Sequence, residues 1–517
     1  MTLIAFNSFI LYTFGNINSL GRKIVKQKLI LTGKTLIFLV LLFFCIFTAS
    51  LLVERKSSFN KNQMFFEEAK KEHLDVLLFG SSHVINGINP LQLYSEYGLT
   101  AYNLGGYGSV LLSSYWQLRL ALDYCTPKVV VVDAYMLEND VRYVDDPQAN
   151  VDSDELHLNV DRFPFNKTKL SALNDMFLAD SEKYPYIWDY IIYHDRWKEL
   201  GAEDFKRFTG SADVNRMMGA VIEYGVHDAE YSYVDYQTGG LAQETVGTTY
   251  LRRIIEECQS RNIQVVVTTL PFLAMEQNQA AAHTAEQIAE EYGCLSVNML
   301  EVPGLIDINS DMEDPGHLNI LGCQKVTAYL GNVLKANYEL EDHRGDEAYS
   351  NWDSCYEEFC NEISEMSVGN KDIYTQFMML KLNQEKETYA VSIRGASSVY
   401  ADSTLIRQLK LLGASEMLEN AIANKCSYLL ISDHGIVTEF AGDGEESTVE
   451  TSGGTLTYIP ASDIFRVLNI NGDTEMNYLY SDDHAYADVQ LLFLDEGAVS
   501  IQQFYTSEHF TYDFDIR

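Results

Sequence analysis

Two short stretches of this chain hold the side-chain types that do covalent chemistry together. The first is Gly80-Ser81-Ser82-His83, which follows the apolar run Leu74–Phe79 without a break. A glycine at the end of a strand lets the backbone turn sharply and lifts the next side chains to the sheet edge. A serine held there becomes a nucleophile once a base reaches its hydroxyl. The second stretch is Asp311-Met312-Glu313-Asp314-Pro315-Gly316-His317-Leu318-Asn319. An aspartate three residues before a histidine on a loop puts its carboxylate within reach of Nδ1 and leaves Nε2 to take a proton. Asp311 is the alternative acid, ranked second because it stands six residues from His317. Each stretch alone has an ordinary explanation: a Gly-Ser-Ser turn, or a helix-capping Asp beside a surface His. Together they supply Ser82, His317 and Asp314 as nucleophile, base and orienting acid. His83, beside the nucleophile, is read as packing support rather than chemistry.

These residues need a frame. Short apolar runs at Leu74–Gly80, Val129–Val132, Val265–Thr269 and Cys294–Met299 read as buried strands. Helical patterns at Leu111–Leu122, Tyr250–Cys258, Ala280–Glu291 and Leu321–Leu334 lie between and after them. Alternation of this kind predicts a mostly parallel sheet covered on both faces, with ligands at the carboxyl ends of its strands. Ser82 then follows the first strand, and the His317 loop precedes the last helix. Residues 140–245 interrupt the pattern with aromatic and polar sequence, and are read as an insertion able to roof the site.

The order of these blocks resembles the SGNH (GDSL-type) hydrolases. Gly80-Ser81-Ser82-His83 is similar to their first block and Asp314-Pro315-Gly316-His317 to their last. Ala101-Tyr102-Asn103-Leu104-Gly105-Gly106-Tyr107-Gly108-Ser109 is similar to their middle glycine loop. The resemblance covers roughly residues 70–335. It implies a three-layer α/β/α fold and acyl-ester chemistry. It also implies an oxyanion hole from the Gly108 N–H, with Gly105 or Gly106 as alternatives, and from the Ser82 N–H. The family's Gly-x-Asn block is missing: after Val129–Val132 the chain reads Asp133-Ala134-Tyr135-Met136-Leu137, so Leu137 stands about where the Asn belongs. Asn139, two residues later, is the substitute candidate. Losing one oxyanion donor raises the barrier by about 2.7–4 kcal/mol. The departure is similar to that of membrane-bound members acting on cell-surface polymers.

Beyond the acidic stretch 339–370, read as a linker, runs at Thr388–Ile393, Ser427–Ser432 and Asp488–Asp495 predict strands, and Ser403–Leu412 a helix stopped by Gly413. The sequences at Ala390–Ser398, Cys426–Gly435 and Asp488–Phe504 resemble the interleukin-like EMT-inducer (PANDER-type) domain. That likeness implies an α+β accessory module at 371–517 that binds a glycan or a partner; no triad can be assembled from the residues of 371–517, so no catalysis is expected there.

From Leu36 to Val53 no residue is charged. A helix of about 20 apolar residues spans a bilayer core. Arg22, Lys23, Lys26, Lys28 and Lys34 precede it, which favours a cytoplasmic N-terminus and an extracytoplasmic remainder. The division expected is therefore 1–34 cytoplasmic, 35–54 transmembrane, 65–338 hydrolase-like, 339–370 linker and 371–517 accessory. Thr2–Phe14 is read as an interfacial segment. The 74 acidic against 37 basic residues give a net charge of −37, which argues against nucleic acid as a partner. The eight cysteines show no CxxC or zinc spacing. No metal or organic cofactor is implied. The function expected is serine esterase or O-acyltransferase chemistry on a cell-surface polysaccharide or other acylated glycan. The alternative is an inactive scaffold or glycan-binding protein of the same fold.

Overall fold

The computed structural model describes residues 19–53, 62–140, 163–177, 180–187, 190–209, 215–232, 234, 239–367, 369–469, 474–476, 487–495, 498–506, 510 and 512–516. The readings of Thr2–Phe14 and of 141–162 within the insertion lie outside these residues. The chain forms two compact units. One joins Met1–Ser57 with Ala179–Asp213, the other Ser58–Leu178 with Val214–Arg517.

The first unit is built on one helix, Ser19–Val53, long and apolar enough over Ile24–Val53 to cross a membrane. The helices Asp180–Ile187, Tyr190–Tyr193 and Ala202–Thr209 complete it.

The second unit is mixed α/β and holds a five-stranded parallel sheet. Its strands are β1 (Val76–Phe79), β2 (Ala101–Asn103), β3 (Val129–Asp133), β4 (Gln264–Thr269) and β5 (Leu295–Asn298), in the order β2-β1-β3-β4-β5. Val76 pairs with Ala101 on one side and Val129 on the other, and Val129 pairs with Gln264. All of β1 and β3 is buried, as continuous apolar runs in a parallel sheet should be. Successive side chains point to opposite faces. Val76, Leu78, Val129, Val131 and Val266 therefore share one face, where they pack with Val326, Leu330 and Leu334 of the helix Ile320–Asn337. Leu77, Phe79, Val130, Val132 and Val267 are buried on the other.

The acidic stretch expected as a linker forms the helix Ser350–Ser367. Trp352, Cys355, Phe359 and Ile363 are its buried apolar members. Their spacing of three, four and four residues makes one apolar stripe, so burial outweighs the acidic composition.

Residues 388–516 contribute β6 (Thr388–Ile393), β7 (Tyr428–Asp433), β8 (Ile436–Ala441), β9 (Ser447–Thr451), β10 (Gly454–Ile459), β11 (Ile464–Asn469), β12 (Thr474–Met476), β13 (Val489–Asp495), β14 (Ala498–Thr506) and β15 (Tyr512–Ile516). They form a six-stranded sheet in the order β15-β14-β13-β6-β7-β8 and a four-stranded sheet β12-β11-β10-β9. Alternate residues of β6 and β7 serve different cores. Ala390, Leu429 and Ile431 pack with Leu456 and Phe465 of the smaller sheet. Tyr389, Val391 and Leu430 pack with Phe377, Leu405 and Leu418. Gly413, at φ 106°, ends the helix Ser403–Leu411.

Candidate active site

β1 delivers the chain into Gly80, whose φ is 153°. A Cβ there would lie 2.6 Å from Val84 Cγ2 and 2.8 Å from Asp133 Cβ, so only glycine fits the turn. Ser81 then caps the helix Ser82–Gly87, its Oγ accepting the His83 N–H at 3.2 Å. Ser82 is the first helical residue. Its own N–H is one of the donors that a helix N-terminus leaves without an intrahelical partner.

The His317 loop is a tight reversal closed by an antiparallel bridge between Met312 and Leu318, with the Glu313 N–H donating to His317 O at 2.9 Å. Inside it, Asp314 Oδ1 accepts the Gly316 N–H (2.7 Å) and the His317 N–H (2.9 Å). Asp314 Oδ2 lies 2.8 Å from His317 Nδ1, and His317 Nε2 lies 2.8 Å from Ser82 Oγ. Two stretches 235 residues apart thus meet at one hydrogen bond. Burial pushes the Asp314 carboxyl up, but the hydrogen bonds from the His317 ring and the Gly316 N–H outweigh it and hold the group below its ordinary range. The carboxylate is therefore kept ionised and aimed at Nδ1.

Asn319 anchors this loop to the helix behind it. Its Nδ2 donates to Ser310 O (2.8 Å), and its Oδ1 caps Leu321 and Gly322. Asp311 is fully buried against Lys325, with Nζ–Oδ2 at 2.6 Å, and accepts the Asp307 N–H at 2.7 Å. It holds the loop, while Asp314 is the acid that faces the imidazole.

His83 is buried and stacks on Tyr135, with ring centroids 3.7 Å apart and Phe272 4.8 Å away. Burial, with His317 nearby, pushes its imidazole down to about 3, so it stays neutral in the ordinary pH range. Its Nδ1 has no hydrogen-bond partner among the described residues.

In the glycine loop, Asn103 is fully buried. Its Nδ2 donates to Val84 O (2.6 Å) and its Oδ1 accepts the Gly105 N–H (3.1 Å), which ties the loop to the nucleophile helix. The Gly106 N–H is taken by Gly80 O at 2.9 Å. Gly108 sits at φ 56°, and no backbone hydrogen bond takes its N–H among the described residues. Leu137 is fully buried, and its carbonyl accepts the Thr245 hydroxyl at 2.6 Å. Asn139 lies beyond that turn. Its N–H donates to Met136 O (3.0 Å) and its carbonyl accepts the Gly247 N–H (3.3 Å).

Sequence reasoning passed over the segment 217–225, which fastens these parts together. Met218 O accepts the Asn103 N–H at 2.9 Å, and the Val221 N–H donates to Ile85 O at 3.1 Å. Asn86 Nδ2 reaches both Val221 O and Glu223 Oε1 at 3.0 Å, and Glu223 O accepts the Ile320 N–H at 2.8 Å. Gly219, at φ 89°, leaves no room for a Cβ, which would fall 2.1 Å from Asn103 O. The Met218-Gly219 step was the visible signal for a close backbone approach. Glu313, beside Asp314, is pushed up to about 7 by burial and by the Glu223 carboxyl.

Asp133 at the end of β3 was also passed over. It is buried, and its carboxylate accepts the Leu270 N–H (2.9 Å) and the Tyr135 N–H (3.4 Å). Burial nevertheless pushes it from 3.8 up to about 7. An acid raised in this way binds its proton more tightly folded than unfolded. Its stabilising contribution is complete below the unfolded value and lost as pH rises through about 7. Unfolding free energy should fall by on the order of 3 kcal/mol between about pH 5 and about pH 8 through this group. Asp133→Asn should remove that part of the slope in denaturant titrations at the two pH values. An unchanged slope would place the titration elsewhere.

Phe272 also lines a pocket of about 610 Å³ beyond β4 and β5, with Met299, Leu300 and Ile306 as apolar walls and Gln279 and Asp307 as polar members. Among the described residues, His283, Glu286 and Glu301 form one group whose ligand-type atoms gather within 4.8 Å. His283 Nε2 is 3.4 Å from Glu301 Oε1.

No protein-family model matches this chain. No curated protein matches it either.

Proposed function

We propose that the chain is a membrane-anchored, extracytoplasmic serine esterase or O-acyltransferase of the SGNH type, with a three-layer fold around its parallel sheet. One observation carries the reading: Ser82 Oγ, His317 Nε2 and Nδ1, and the Asp314 carboxylate stand in hydrogen-bonding sequence at 2.8 Å each.

The chemistry follows from that line of contacts. Ser82 Oγ bonds to the ester carbonyl carbon as its proton passes to His317 Nε2. The ionised Asp314 stabilises the imidazolium and keeps Nδ1–H toward itself. The Ser82 and Gly108 N–H groups receive the oxyanion. His317 then gives the proton to the leaving alkoxide as the C–O bond breaks, which leaves an acyl group on Ser82. Water or a sugar hydroxyl, deprotonated by the same imidazole, takes the acyl group and restores the serine. Phe272, whose ring lies 4.8 Å from that of His83, also lines the pocket of about 610 Å³, a candidate place for a substrate group. An extracytoplasmic site implies an O-acylated cell-surface glycan as substrate or acceptor.

The test uses the full chain in nanodiscs. A fluorophosphonate probe should label the wild type and leave Ser82→Ala unlabelled. Incubation with an acetyl ester and an oligosaccharide should then yield acetylated sugar for a transferase, or free acetate alone for a hydrolase. Folded protein that neither labels nor turns over the ester would instead be a scaffold.

A further inference from the structure

The unit that contains the apolar helix has a second apolar surface that the anchor does not explain. Along Leu36–Phe44 the helix is bare, as a lipid-facing span is. From Thr48 onward it becomes covered, and Val53 is buried. What covers it is Tyr190–Tyr193, the turn His194–Lys198 and the helix Ala202–Thr209. Arg196 ties them together. Its Nη1 donates to Val53 O at 2.8 Å, and its Nη2 donates to Asp204 Oδ1 at 2.8 Å. Asp204 in turn accepts the Gly201 N–H at 2.9 Å.

The outer side of this collar exposes Tyr184 (58%), Ile187, Ile191, Trp197 (64%) and Phe205 (50%). Lys198 holds its ammonium 5.9 Å from the Trp197 ring. Large apolar side chains are costly to leave in water. Aromatic residues with a neighbouring lysine, at the end of a span, have the composition that settles at the level of lipid headgroups.

We propose that the helices Asp180–Ile187, Tyr190–Tyr193 and Ala202–Thr209, with the turn His194–Lys198, form a lipid-embedded collar at the outer end of the anchor, with their exposed aromatic and aliphatic side chains in the headgroup and upper acyl region of the bilayer. The occupant of this surface is phospholipid, because the elements that carry it pack against the end of the span. The inference rests on insertion of the anchor and is independent of the esterase reading.

Tryptophan fluorescence of the full chain in nanodiscs tests it. The wild type and Trp197→Phe are compared in phospholipid brominated at a shallow acyl position and in unbrominated phospholipid, then with aqueous iodide. The collar requires that bromolipid quench the wild type more strongly than Trp197→Phe, and that iodide quench the two alike. Equal bromolipid quenching in both proteins, with iodide quenching that drops in Trp197→Phe, would put this indole in water and overturn the proposal. The substitution replaces one exposed aromatic ring by another, so folding is not at stake.

Discussion

If the proposed esterase chemistry holds, Ser82→Ala should lower ester turnover by about 10⁴-fold to 10⁶-fold, and His317→Ala should cost a similar amount. The double variant loses scarcely more than either single one, because the hydroxyl and the imidazole act as a unit. The 2.8 Å contact between Oγ and Nε2 has no second base to replace it among the described hydrogen bonds. His83 is no substitute, since its ring is buried and neutral against Tyr135. Steady-state rates on an acetyl ester, with the titrated fraction of active serine, check this. Additive losses, or a Ser82→Ala protein with wild-type turnover, would move the chemistry elsewhere.

Glu68→Ala is expected to destabilise the larger unit by about 3 kcal/mol. Glu68 is fully buried and its carboxylate collects four contacts. Oε1 accepts from Lys71 Nζ and Asn351 Nδ2 at 2.9 Å, and Oε2 accepts from Trp352 Nε1 at 2.9 Å with His73 Nδ1 at 3.3 Å. Lys71 is half exposed, so its pairing adds little. The cost comes from the buried Trp352 indole N–H, which alanine leaves without an acceptor. Thermal unfolding of the full chain measures it, and Glu68→Gln, which keeps one acceptor oxygen, should lose less. A melting temperature unmoved by Glu68→Ala would show that the helix Ser350–Ser367 is held by its apolar stripe alone.

The chain's local patterns were enough to place β1, β3 and β4 and the helices beside them, because a buried parallel strand writes itself as an apolar run; β5, Leu295–Asn298, is only partly buried and wrote a weaker one. The helix long and apolar enough to cross a membrane was equally legible, since that length is met by consecutive residues. Ser82, Asp314 and His317 could be singled out because their chemistry depends on side-chain type and short spacing. β2, only three residues long, left no such pattern. The helix Ser350–Ser367 had one in Trp352, Cys355, Phe359 and Ile363, hidden under its acidic composition.

What sequence alone determined was thus which residue types could do chemistry and which segments form four of the sheet's five strands. Tertiary structure decided which of them touch. It brought Glu223 of the insertion to both Asn86 and Ile320, put Leu137 in the core, and left Asp311 to brace the loop whose Asp314 faces the imidazole. Those outcomes depend on register and on the competition for buried hydrogen-bond partners. Neither is written in any window of neighbouring residues.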